Sequence, residues 1–430
     1  MALFSAYRTH RDPFHPAVVL LPMCAFIYVL MPLYLARDGT LFAFINEGQA
    51  IWVQIIVILG LLCLIAGLFL GSRQVLSGMN TEANVQHTSD ALRTGGYILG
   101  SIGVLAWLYT IKSGGGFLDV FGTANGRGWS EFGYIRETCY LMIVGLLLLF
   151  SPEAYSPKNK IWMIAVTVFS VPYLIQGLLG AQRGPTFLIM ATLGLSWYMA
   201  RGKRPSLISM AVAGVMLGCL LVFLVVNRGS IYIGSQDDLK TDASSFFAGT
   251  EANEYIFGAG CMIASNQTGD YFWGKRYLAQ VVVRPVPRQL WPTKYADFGV
   301  PELEQNAGVA KTGLAPVMGW SEVTGAAAAL VGDLWVEFSW LALPTLGLIG
   351  YGYARAWRKA RDIRGPWITQ YTILILLSIY MVSQSGEAVI FRLIILSLPS
   401  WWVWQKARYS ASSEQVTHSH GLESAAPSRT

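Results

Sequence analysis

Between Tyr271 and Ala296 the chain carries five cations, Lys275, Arg276, Arg284, Arg288 and Lys294, and no acid. They interleave with Tyr271, Phe272, Trp273, Tyr277, Trp291 and Tyr295, and prolines at 285, 287 and 292 stiffen the backbone there. Forked guanidinium groups suit phosphate oxygens, and flat aromatic faces suit sugar rings, so one reading is an anion site with aromatic walls. The same residue types favour a lipid headgroup zone, so a segment lying along a membrane surface is the other reading. The two are compatible, because a lipid-linked phosphate sits at that depth.

Two further cations stand alone. Arg183 is the centre of a tight GAQRGP turn, and Arg228 follows an apolar run in NRGS. Each can approach a ligand closely, or simply cap a helix or reach for the interface. Asp333 and Glu337 lie four residues apart in an apolar stretch, hence on one helix face. A charge near mid-bilayer costs about 2.5–3.5 kcal/mol, so these two are expected to face a polar cavity or a partner cation. Arg392, which follows Glu387 in the last apolar run, is the same kind of residue. The Gly- and aromatic-rich SGGGFLDVFGTANGRGWSEFGYIRE, from Ser113 to Glu137, reads either as a substrate-facing loop or as a plain connector. The five cysteines show no metal-ligand spacing with histidine.

The elements that hold these residues are apolar. Hydrophobic residues make up 53% of the 430 and charged residues 13%, about half the roughly 25% of a soluble domain. That excludes a soluble enzyme, a disordered chain and a nucleic-acid module. It identifies an all-α polytopic membrane protein with the lipid bilayer as a partner. Ten spans are expected: Ala17–Ala36, Ala50–Leu70, Gly95–Ile111, Gly133–Phe150, Ile161–Leu179, Pro185–Ala200, Leu207–Val226, Leu330–Gly350, Trp367–Ser383 and Ala388–Trp404. The net charge of +6 then has an explanation other than nucleic acid. With both termini in the cytoplasm, most of the 31 Lys and Arg fall on that side. The linear organisation is a seven-span bundle over 1–226, a long outer loop over 227–329, three C-terminal spans over 330–404 and a disordered tail over 405–430. A loop of about 100 residues without a job is uncommon. His10, His15, His87, His418 and His420 all fall on the cytoplasmic side, which leaves the outer face without an imidazole.

Three segments together resemble the Wzy-type oligosaccharide repeat-unit polymerases of O-antigen and exopolysaccharide pathways. They are GAQRGP opening a span, VVVRPVPRQLWPTK in the long loop, and VGDLWVEFSWLALPTLGLIGYGYARAW after it. Likeness is strongest over about 180–350. The resemblance implies a glycosyltransferase C-like fold in a bacterial inner membrane, with the long loop in the periplasm. It implies transfer of a growing glycan from one undecaprenyl-diphosphate carrier to the sugar end of another lipid-linked repeat unit. It implies neither metal nor cofactor. Beside the undecaprenyl-diphosphate-linked oligosaccharide, a polysaccharide chain-length regulator is a possible partner. Arg183, Arg284 and Arg288 are the first candidates for the diphosphate, with Arg228, Arg276 and Lys294 in reserve and Trp291 as a sugar platform. The attacking hydroxyl needs a proton acceptor, and without an outer histidine a carboxylate must supply it. Glu322, Asp333 and Glu337 are the candidates, and Glu251 and Glu254 remain open.

Three alternatives stay beside this one, one of them a non-catalytic scaffold of an envelope-polysaccharide complex. An O-antigen ligase-like transferase resembles this chain in span count and loop size, but such enzymes usually carry a histidine in the large loop. A transporter or flippase for a lipid-linked glycan needs a polar path through the spans, where charges here are few.

Overall fold

The computed structural model describes the chain except for residues 1, 74–84, 124–132, 241–249, 252, 302, 304–313, 321–325 and 424–430. The described residues are helical, with no strand among them. Among the described residues, eight helices are long and apolar enough to cross a membrane: Pro16–Arg37, Glu47–Arg73, Thr88–Ser113, Lys160–Leu178, Leu207–Val226, Ala329–Asp362, Pro366–Ser383 and Gly386–Arg408. They coincide with eight of the ten expected spans. The expected fourth breaks into Gly133–Thr138 and Leu141–Leu149. The expected sixth is an 18-residue helix, Arg183–Ala200, whose Thr186, Thr192 and Ser196 dilute its apolar content. The final helix runs on to Glu423, through much of the 405–430 stretch expected to be a disordered tail.

The chain forms two compact units. The first comprises Met1–Val75, Asp242–Arg358 and Leu374–Ile394, and the second Leu76–Thr241, Lys359–Ile373 and Ile395–Thr430. These units cut across the linear order of bundle, loop and C-terminal spans.

In the second unit, Leu141–Leu149 is the core: Met142 to Leu149 are all buried. It packs on Thr88–Ser113 through small residues. A Cβ on Gly145 would stand 2.8 Å from the Gly100 Cα. Arg183 and Arg228 belong to this unit. Arg183 opens its helix on the exposed side. Arg228 is also exposed, just after the buried Asn227, whose side-chain amide donates to the Phe223 and Lys240 carbonyls.

In the first unit, Glu47–Arg73 and the Ala342–Asp362 helix meet backbone to backbone. A Cβ on Gly67 would lie 1.9 Å from the Gly347 carbonyl oxygen, so only hydrogen fits. Gly67→Ala must push the helices apart. A fall of about 1–3 kcal/mol or more is expected, read as a lower thermal midpoint in detergent.

The stretch read as a long loop contains a helix that its sequence pattern did not announce. Glu254–Thr268 is buried from Tyr255 to Ser265. Asn253 caps it, accepting from the Tyr255 and Ile256 amides, and Gly269 ends it in the left-handed region. Gly258 lets it touch the Ala329–Phe338 helix, since a Cβ there would fall 2.4 Å from the Ala328 carbonyl oxygen. Tyr255 donates to the Gln54 side-chain oxygen at 3.0 Å, and Gln54 donates to the Tyr28 carbonyl at 3.1 Å. Burial pushes the Tyr255 phenol up to about 12, so it stays a donor. At 15 residues the helix is about 22 Å long, short of a bilayer core of about 30 Å.

The span Ala329–Asp362 is broken: Ala329–Phe338 ends at Ser339, which has φ 51°, and Ala342–Asp362 follows. That break puts the end of a half-helix, with its orphan carbonyls, inside the unit. The Phe272 and Trp273 amides donate to the Val336 and Glu337 carbonyls at 3.1 and 2.7 Å. The cation-rich segment is thereby fastened to the half-helix that bears Asp333 and Glu337.

Candidate functional site

Immediately after that fastening, Gly274 (φ 81°) turns the chain into the short helix Lys275–Val282. Its inward side is polar. Arg276 is 0% exposed and forms ion pairs with Asp333 and Glu337, both also 0% exposed. The Arg276 Nε donates to Glu337 Oε1 at 2.5 Å, and a terminal guanidinium nitrogen donates to Asp333 Oδ1. Glu337 Oε2 accepts from the Gly274 amide at 2.8 Å. Asp333 Oδ2 accepts from the Gly386 amide at 2.8 Å and from the Tyr277 hydroxyl at 2.5 Å. Each carboxylate oxygen therefore has at least one donor, and the negative end of the half-helix adds to the field on the guanidinium.

Burial opposes the charge on Arg276, but Asp333, Glu337 and Glu387 outweigh it and hold the guanidinium well above its ordinary range. Burial first, then Asp333, raises the Tyr277 phenol well above its usual value, so it too remains a donor. The cluster is closed around Gly386: a Cβ there would lie 2.8 Å from the Tyr277 hydroxyl oxygen. Gly386→Ala is expected to lift Tyr277 off Asp333 and to destabilise the protein by about 1–3 kcal/mol, checked by thermal unfolding.

Glu387 is held differently. Its distance to Arg276 is 3.8 Å, its side chain is 18% exposed, and Gln280 donates to its Oε1 at 2.5 Å. The Gln280 oxygen in turn accepts from Arg284 at 2.8 Å. Arg284 is half-buried, with its guanidinium 4.0 Å from the centre of the Phe391 ring. One amide thus links a partly accessible carboxylate to a partly accessible guanidinium.

Beyond Arg284 the segment turns through its prolines. Lys294 is buried, and its ammonium donates to the carbonyls of Val283 at 3.1 Å, Arg284 at 3.2 Å and Val286 at 2.5 Å. Burial, then Arg288 and Arg284, lowers its affinity for the proton. Those three bonds use the donors of the ammonium. Lys294→Met would strand three carbonyls, and a loss of about 1–3 kcal/mol is expected, measured as a lower unfolding midpoint. Arg288 is exposed, 6.0 Å from the Tyr295 ring centre. Trp291 is fixed by its indole N–H, which donates to Asp297 at 2.6 Å. That bond and the one from Thr293 hold the Asp297 carboxyl below the usual carboxylate range.

The structure thus brings together Arg276, Asp333 and Glu337, and near them Arg284; Arg288, Trp291 and Lys294 lie farther along the same segment. Arg183 and Arg228 belong to the other unit. Glu322 lies outside the described residues. Arg392 donates to the Ala388 carbonyl at 2.6 Å and covers the Tyr380 ring at 4.5 Å. The sequence does not single out Gln280, and Glu387 and Tyr277 stand out in it only as a charge in the last apolar run and as one of the interleaved aromatics. The recurrence of polar groups at 276, 280 and 284, a helical i, i+4 spacing, was the signal available for Gln280. Among the described residues no three His, Cys, Asp or Glu are arranged to hold a metal ion.

Fold and composition define a multi-pass α-helical membrane protein. No family model matches the chain, and no curated protein or solved structure matches it either.

Proposed function

We propose that this chain is a membrane glycosyltransferase. It joins undecaprenyl-diphosphate-linked oligosaccharide repeat units into a polysaccharide at the periplasmic face of a bacterial inner membrane. In this reading the fold is glycosyltransferase C-like, both termini are cytoplasmic, and the chain requires no metal. The observation that carries the reading is the link Arg284–Gln280–Glu387, which sets a cation beside a partly exposed carboxylate. Arg284, with Arg288 one turn of chain farther on, stabilises the charge that builds on a departing diphosphate. Glu387 takes the proton of the acceptor sugar hydroxyl as that oxygen bonds to the donor sugar's anomeric carbon and the carbon–phosphate-oxygen bond breaks. The lipid diphosphate leaves with the electron pair.

Asp333 and Glu337 have a different role in this scheme. Hydrogen-bonded at every oxygen and fully enclosed, they anchor Arg276 and Tyr277 and so fix the helix that presents Gln280 and Arg284. The test is reconstitution of the purified chain with a lipid-linked repeat unit. A ladder of products of increasing length is expected. Transfer of the unit across the bilayer without any ladder would replace polymerase by transporter.

A further inference from the structure

The Lys275–Val282 helix is polar on the wrong side for a helix in water. Its inward positions are Arg276, Ala279 and Gln280, all buried. Its outward positions are Leu278 at 52%, Val281 at 45% and Val282 at 51% exposure. Trp273 before it and Leu290 after it are exposed by 59% and 79%. A solvated amphipathic helix places its apolar stripe toward the core and its charges outward. The reverse arrangement is stable where the surroundings are themselves apolar.

We propose that Trp273–Leu290 is seated in the interfacial zone of the bilayer, with Leu278, Val281, Val282 and Leu290 against acyl chains and Lys275 and Arg288 at anionic lipid headgroups. Three observations choose lipid over a protein partner. The apolar face is continuous with a span, because the segment is hydrogen-bonded to the end of Ala329–Phe338 and Tyr277 packs on Phe338 at 5.8 Å. At that same break Trp340 and Leu341 are each 58% exposed. Trp273 and Tyr271 pair edge-on at 5.8 Å, aromatics of the type that collects at headgroup depth. Finally, eight residues make a helix of about 12 Å, too short to cross a core of about 30 Å, so it lies along the membrane. Lys275 and Arg288, both exposed, flank the apolar residues as cations flank interfacial helices. The inference does not depend on the glycosyltransferase reading.

The test places a benzophenone side chain at Leu278, Val282 or Leu290 in the full chain. The protein is held in nanodiscs of phosphatidylethanolamine and phosphatidylglycerol and irradiated. Leu62, 56% exposed on the Glu47–Arg73 span, serves as the lipid-facing control, and the exposed Asp297 as the aqueous control. Lipid adducts at all three positions, in yields like that at Leu62 and well above that at Asp297, are expected by mass spectrometry. Phosphatidylglycerol should be enriched among adducts from the same probe at Lys275, relative to its share in the disc. Yields at 278 and 282 no higher than at Asp297 would falsify the placement. Cross-linked protein dimers in place of lipid adducts would assign the face to a second copy. A phosphatidylglycerol share equal to that of the disc would overturn the headgroup assignment.

Discussion

Arg276→Met is expected to remove most of the folded protein from the membrane fraction. The substitution preserves much of the side-chain volume but leaves Asp333 and Glu337 enclosed with no cation, and Glu387 beside them. Breaking one buried pair by deleting a partner costs about 3–5 kcal/mol, a large share of the roughly 5–15 kcal/mol that holds a domain together. Arg276→Lys keeps the charge but cannot serve both carboxylates with one planar fork, so an intermediate loss is expected. The informative companion is the triple variant Arg276→Met, Asp333→Leu, Glu337→Met, in which no enclosed charge of the trio remains. Such apolar replacements are often neutral or stabilising. Recovery of the unfolding midpoint in the triple variant identifies the trio as scaffold. A well-folded Arg276→Met protein that has lost only activity would instead make Arg276 a ligand-binding residue.

Arg288→Ala should do the opposite: leave folding intact and stop the chemistry. The side chain is exposed, with its guanidinium 6.0 Å from the Tyr295 ring centre, and a surface substitution of this kind usually changes stability by about 0.5 kcal/mol. If it faces the departing diphosphate, its loss costs about 10²–10³ in rate, roughly 2.7–4 kcal/mol of transition-state stabilisation. The reconstituted ladder should shrink to the starting unit, and cells should accumulate single repeat units on the outer face. Arg288→Lys keeps the charge and should recover part of the rate. Units stranded inside the cell would point to a transporter, and an unchanged ladder would remove Arg288 from the site.

How much of this could be read without coordinates depended on the range of the interaction. Eight spans were legible because a run of some twenty apolar residues has few other uses. Gly133–Phe150 was not, because nine Leu-rich residues read alike whether they face lipid or, as Leu141–Leu149 does, lie wholly inside a unit. Glu254–Thr268 escaped for the same reason: its Gly, Ala and Ser content serves close packing rather than membrane crossing. The shared face of Asp333 and Glu337 followed from their spacing, and so did the need for a cation. Its identity did not follow, since Arg276 lies 57 and 61 residues earlier and no local pattern reaches so far. Nor could composition separate Lys294, spent on backbone carbonyls, from Arg288, which is exposed in the same run.

The bonds of Lys294 have one more effect. By gripping Val283, eleven residues back, the ammonium buckles the intervening chain into a closed ring, and Arg284 and Arg288 sit on that ring. The backbone that carries them is therefore restrained at Val283, Arg284 and Val286. Under the proposed function, a lipid diphosphate bound there would spend little of its binding free energy on ordering this stretch of chain. In that same reading, Lys294→Met should unclasp the ring and weaken diphosphate capture even with both arginines untouched.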